Sequence, residues 1–259
     1  MDHDYHVHST YSDGDFLWPM VRAASEAGLA SVGFADHCNV STRGPLHEAK
    51  EALGFNLDLT YERRRAAIER LRERADIAIH DAVEMDYTPD EETAIAAFLE
   101  AADFEYAIGS VHDLDGANVH IESHFAEKPA RERRALVDRY FEKLVSLIDS
   151  GLFAIAAHPD LVERNPALRG FAEEDHYRAA AAAFARSRTV PECNAGRVLD
   201  DYGEFHPNSA FLDVLAEHDV AVTVGTDSHQ PEEIRERADR LDTLLDERDL
   251  TLADVPIRT

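Results

Sequence analysis

The sequence predicts an α/β fold in which seven strand–helix units close into a complete or distorted barrel, as one domain spanning residues 1–259. Three observations predict it. Short apolar runs alternate along the whole chain with longer segments of helical period. Imidazole or carboxylate side chains follow nearly every apolar run, so they would gather at one mouth of a parallel barrel. A length of 259 residues suits a single α/β barrel.

The strands are expected at residues 5–8, 31–35, 77–83, 106–111, 155–157, 189–194 and 220–224. Between them the helices fall at 19–27, 61–75, 92–102, 131–150, 175–186 and 208–218, with a last one at 231–247. Pro19 opens the first helix and Gly28 closes it, as helix-end preferences require. In the second, Ala66, Ile68, Leu71 and Ala75 turn toward a core while the Arg and Glu residues form a solvated face. Ser150-Gly151 ends the longest helix, and Ile234, Ala238, Leu241, Leu244 and Leu245 mark the inner face of the last. Residues 38–60 and 113–130 read as long loops on the catalytic face. A doubly wound open sheet is the alternative, but it would concentrate its polar strand ends near one switch point rather than along the whole sheet.

The strand-end residues are metal-ligand types: His6-Val7-His8, Asp36-His37, Glu84, His112, His158 and Asp227-Ser228-His229. His6 and His8 share one side of an extended strand, because side chains alternate with period two, so both can reach one ion. Asp227 and His229 have the same spacing and could serve neighbouring ions. Glu84, in the middle of the sheet, suits a bridge through its two oxygens. Burying so many ionisable groups without metal would cost several kcal/mol for each unpaired charge. No phosphate-binding glycine loop, dinucleotide fingerprint or nucleophile elbow is present. Water activated by metal is then the strong nucleophile on offer, and a hydroxide bridging two ions points to hydrolysis.

Composition excludes other classes. The 52 acidic residues outnumber the 26 basic ones, for a formal net charge of −26, and Lys occurs only at positions 50, 128 and 143. Such a surface lacks the clustered cations that nucleic-acid binding uses; it fits a salt-rich, halophilic cytosol better than an ordinary acidic enzyme. No apolar run approaches the roughly 20 residues of a membrane span, and no secretion signal follows Met1. Cys38 and Cys193 form no paired motif and read as buried small hydrophobes in a reduced, cytoplasmic protein.

Four motifs carry a family resemblance. Residues 6–14, HVHSTYSDG, resemble the first motif of the PHP (polymerase and histidinol phosphatase) superfamily. Asp36-His37 is similar to its second, Gly109-Ser110-Val111-His112 to its third, and Gly225-Thr226-Asp227-Ser228-His229 to its last. The resemblance runs from residue 4 to about 235. Around residues 140–161, and again at Glu192-Cys193-Asn194-Ala195-Gly196-Arg197 with Phe205-His206-Pro207-Asn208, it is strongest to the histidinol-phosphate phosphatase branch.

The resemblance implies a distorted (β/α)7, TIM-like barrel and a phosphomonoesterase using two to three divalent ions (Zn, Mn or Fe). It implies that His6, His8, Glu84 and Asp227 hold one ion, Glu84, His112 and His158 a second, and Asp13, His37 and His229 a third. Family members often place a histidine where this chain has Gly14, so Asp13 is the ligand that departs most from the pattern. The implied substrate is a small phosphate monoester, L-histidinol phosphate of histidine biosynthesis. Nucleotides or oligonucleotide ends are alternative substrates, and a non-catalytic metal-binding module is a third reading. Arg197 is the first candidate to clamp phosphate, against a surface pairing with Asp200 or Asp201, and Arg164 is the second. Asp227, His229 or metal-bound water would protonate the leaving group. His120, His124 and His206 are placed in loops near substrate, and His3, His47, His80, His176 and His218 are read as solvated or structural. The oligomeric state is left open.

Overall fold

Seven parallel strands lie side by side in sequence order in the computed structural model, which describes every residue except Phe55 and Thr259. They are His3–Val7, Ser31–Phe34, Ala78–Asp86, Tyr106–Ser110, Ile155–Ala156, Val190–Asn194 and Thr223–Gly225. A two-residue strand, His37–Cys38, continues the second strand's path and pairs with Glu84 and Met85. Backbone hydrogen bonds join the first and last strands near their C-terminal ends. There His8 N–H donates to the Ser228 carbonyl at 3.0 Å, and Asp227 N–H donates to the His6 carbonyl at 2.7 Å. The sheet is therefore a nearly closed, distorted barrel whose seam is tightest at the mouth that carries the ligands.

Helices flank the strands at the expected places: Leu17–Ala27, Tyr61–Arg72, Glu92–Ala102, Ala130–Ser150, Glu174–Arg186, Ser209–Glu217 and Pro231–Arg248. Their apolar faces pack on the sheet's outer side, where Leu136, Tyr140, Phe141, Leu144 and Phe211 are all buried. Each large side chain so covered contributes roughly 1.5–3 kcal/mol relative to exposure. No helix among the described residues is long and apolar enough to cross a membrane.

Three features differ from expectation. The expected loop at 38–60 contains a helix, Gly44–Leu53, with Pro45 in its first turn and Gly54 ending it at φ 72°. None of its residues is buried, so it carries no apolar stripe that periodicity could detect. The expected loop at 113–130 contains a small hairpin, Asp113–Leu114 against Ala117–Asn118, and a short helix, Glu122–Ala126. In the helix Tyr61–Arg72, the inward residues are Arg64 and Ile68, while Ala66 is exposed. Arg64 belongs to no solvated face: its guanidinium is fully buried between Asp36 and Asp81, 2.7 Å from a carboxylate oxygen of each, and also donates to the Ala82 carbonyl. Burial opposes the charge on Arg64, but Asp36 and Asp81 more than offset it and raise its pKa.

Candidate metal centre

All nine predicted ligands converge at the C-terminal mouth of the barrel. Asp13, His37, Glu84, His112, His158, Asp227 and His229 line a cavity of about 530 Å³. His6 and His8 lie fully buried beside them. Ligand atoms group in three sets, each within 4.8 Å: His6, His8 and Asp227; His37, Glu84 and His112; and His8, Asp13, His37 and His229. His8 and His37 each stand in two sets, and His158, which the resemblance places with Glu84 and His112, falls in none of them although its Nε2 lies 3.0 Å from Oε1 of Glu84.

Glu84 sits among them as a bridging carboxylate would. Its Oε1 lies 3.0 Å from Nε2 of His158 and 3.5 Å from Nε2 of His112. Its Oε2 lies 2.6 Å from Nδ1 of His37, 3.5 Å from Nε2 of His6 and 3.7 Å from Nε2 of His8. That second oxygen is buried, yet none of these contacts has hydrogen-bond geometry. Nε2 of His6 and of His8 face each other at 3.1 Å, and Nε2 of His8 lies 3.1 Å from Oδ1 of Asp227. An orphaned buried oxygen ringed by imidazole nitrogens fits a divalent ion, since imidazole and carboxylate are the ligands of Zn, Mn and Fe.

Asp13 joins the outer set, with Oδ1 3.4 Å from Nε2 of His229 and 3.6 Å from Nδ1 of His8, and Oδ2 3.6 Å from Nε2 of His37. Next to it, a Cβ on Gly14 would lie 2.5 Å from the carbonyl carbon and oxygen of His8. This backbone leaves no room for an imidazole at position 14.

The rings are aimed by groups behind them. Nδ1–H of His6 donates to Glu192 at 2.8 Å, and that of His112 to Asp86 at 2.7 Å. His229 donates to the Asp227 carbonyl at 3.0 Å, and His8 to the Ser12 hydroxyl at 3.3 Å. Each bond commits Nδ1 and turns Nε2 inward, the arrangement that fixes a ligating tautomer. Asp36, beside His37, serves the scaffold: it accepts from Ser9, Ser12 and Arg64 and tethers the loop that carries Asp13. His158 and Asp227 both have left-handed backbone, φ 28° and 51°, a strain that concentrates at functional sites.

Charge in the cluster is strongly coupled. Burial pushes the Glu84 carboxyl up, but His37, His112 and His6 hold it well below the carboxylate range. Burial likewise opposes the charge on His37, yet Glu84 and Asp13 raise it to about 10. His8 goes the other way, lowered to about 4 by burial and by the neighbouring His229 and His37. Without metal, protons balance the carboxylates; bound ions would take their place.

The PHP domain model matches residues 4–196 of this chain, three of the four family motifs and most of the barrel among them. The chain belongs to the PHP domain family. A protein of Deinococcus radiodurans described as a probable histidinol-phosphatase is 26% identical over 221 residues, covering 82% of this chain and 80% of that one. Among solved structures, the histidinol phosphate phosphatase of Lactococcus lactis, complexed with Zn, L-histidinol and phosphate, superposes with a TM-score of 0.77 at 20% identity, covering 100% of this chain and 99% of that one. The putative histidinol phosphatase of Listeria monocytogenes gives 0.73 at 18% identity, covering 90% and 97%. The nearly closed parallel sheet is thus the TIM-like barrel of PHP histidinol phosphatases.

Arg164 and Arg197 border the PHP site, lining both its cavity and a neighbouring one. Arg197 donates to Asp200 at 2.7 Å, so the surface pairing weighed against a phosphate clamp is present. Burial, then Arg197, lowers the Arg164 guanidinium to about 10. His120 and His124 also line the metal cavity. His206 does not: it is buried behind His158, with Nδ1 on Asp160 at 2.6 Å and its ring stacked on Tyr202 at 4.8 Å. His206, expected near substrate, thus sits behind the cavity wall, held by Asp160, rather than on its surface. Glu192 stands in a segment that carries the family resemblance, but neither it nor Asp86 nor Arg64 shows in the sequence the positioning role it has here.

Proposed function

We propose that this PHP phosphoesterase hydrolyses L-histidinol phosphate to L-histidinol and phosphate, using two or three divalent ions. The observation that carries the reading is the buried Glu84 carboxylate ringed by five imidazoles beside two cavity-lining arginines. The probable histidinol-phosphatase from Deinococcus radiodurans, matched over four-fifths of both chains, supports the substrate. The complex of the Lactococcus lactis enzyme with histidinol and phosphate supports it too.

His6, His8, Asp13, His37, Glu84, His112, His158, Asp227 and His229 would hold the ions. When bound, these ions would bring a water molecule within reach of deprotonation near neutral pH and neutralise charge on the phosphoryl oxygens. Arg197 and Arg164 would bind those oxygens from the cavity wall, and the forked guanidinium of Arg197 can take two at once. Glu192 and Asp86 keep His6 and His112 oriented, so these two ligands need not reorganise as the reaction proceeds. Water in the cavity would supply the proton to the leaving alkoxide, and Asp227 or His229, both lining the cavity, would relay it when not holding an ion. A generic aryl phosphate tests the chemistry. Hydrolysis should be abolished by a chelator and by the double substitution His8→Ala, Asp227→Ala; activity surviving both would remove the site assignment.

A further inference from the structure

Arg164 and Arg197 form the partition between two cavities. One holds the candidate metal centre; the other, about 760 Å³, lies beyond them and is lined also by Arg169, Asp200, Asp201 and Tyr202. The three arginines are not equivalent. Arg169 is committed, with Nε on the Glu163 carbonyl at 2.7 Å and its guanidinium 4.8 Å above the Tyr202 ring. Arg164 has no such close pairing among the described residues; Asp227 and Asp200 act on its charge from a distance, against burial and Arg197. Arg197 has a carboxylate partner, Asp200, at 2.7 Å, and that carboxylate lines the second cavity rather than the metal cavity. Asp201 lines the second cavity too, but has no ion pair with Arg197.

We propose that Asp200 is a positioning residue that competes with phosphate for Arg197. With the metal cavity free of anion, Asp200 draws the guanidinium to its own side of the partition. A phosphate monoester, or the inorganic phosphate it leaves, displaces Asp200, because a phosphate offers more charge and a geometry matched to the guanidinium fork. When phosphate departs, Asp200 recovers Arg197 and lowers the affinity for the product. The pair is about one-third to one-half exposed, so its hold is weak and exchange costs little. This inference rests on the phosphomonoesterase reading.

Inorganic phosphate binding to the metal-loaded full chain, measured by calorimetry and as inhibition of aryl phosphate hydrolysis, tests it. Asp200→Asn should tighten phosphate about two- to fivefold and lower KM for the aryl phosphate in step, without raising kcat. Asp201→Asn removes the same charge from the same cavity and should leave both constants at the wild-type value. Unchanged or weaker phosphate binding in Asp200→Asn would overturn the proposal. Equal tightening in Asp201→Asn would also overturn it, since the effect would then belong to the general field. If wild-type protein neither bound phosphate nor hydrolysed the ester, the phosphomonoesterase reading itself would fall. Normal wild-type behaviour with a silent Asp200→Asn would remove this inference alone.

Discussion

Glu192 accepts the Nδ1 proton of His6 at 2.8 Å inside the barrel, and so decides which nitrogen of that imidazole faces the centre. The carboxylate is itself fixed: its other oxygen accepts from the His158 backbone N–H at 3.1 Å and from the Asn194 amide at 2.9 Å. Gly225 leaves it room, since a Cβ there would lie 2.0 Å from Glu192 Oε1. Loss of such an outer partner typically weakens metal binding about 10- to 100-fold. Glu192→Gln should show a loss of that size in chelator competition, with its metal-free fold retained by circular dichroism. Wild-type affinity in the variant would show that the hydrogen bond does not organise the centre.

Arg64 should be a stability residue rather than a binding one. Its removal leaves Asp36 and Asp81 facing each other across a buried space, and breaking a buried ion pair from one side costs about 3–5 kcal/mol. Arg64→Met is expected to lower urea-unfolding stability by that amount. A loss under about 1 kcal/mol would mean that water or rearrangement relieves the two carboxylates.

Away from the centre, Glu105 is a pH reporter paired with His80 and Arg72. Burial raises its carboxyl, but hydrogen bonds from His80 at 2.7 Å and from Arg72 prevail, and its folded pKa lies below the ordinary value of 4.5. A depressed carboxylate pKa adds stability that is complete above the unfolded value and disappears as pH falls through the folded one. Glu105→Gln should therefore cost about 1 kcal/mol at neutral pH, and the gap to wild type should close on acidification below about pH 4.5. Urea titrations of both proteins across that range check this; a gap that widened in acid would contradict it.

What the sequence made legible follows from how each signal is encoded. The ligands could be read because each follows its own apolar run, and one strand end after another repeats the pattern. Glu192 and Asp86 were illegible: among 52 acidic residues, a carboxylate within a strand carries no mark of the imidazole it orients. Arg64 did carry one, for it heads the spacing Arg64, Ile68, Leu71, Ala75, but a cation at such a position ordinarily reads as solvated. The helix Gly44–Leu53 was signalled by Pro45 and Gly54 alone, because burial supplies no stripe. The role of His206 depended on Asp160, 46 residues away, which only the folded chain brings to it.

The proposed hydrolysis of L-histidinol phosphate depends on a metal cluster joined at Glu84. The most direct measurement is kcat/KM of the metal-loaded protein for L-histidinol phosphate against a panel of mononucleotides. Histidinol phosphate should be preferred, and Glu84→Gln should abolish turnover of every substrate. A tenfold or greater preference for the nucleotides, or turnover surviving in Glu84→Gln, would contradict the proposal.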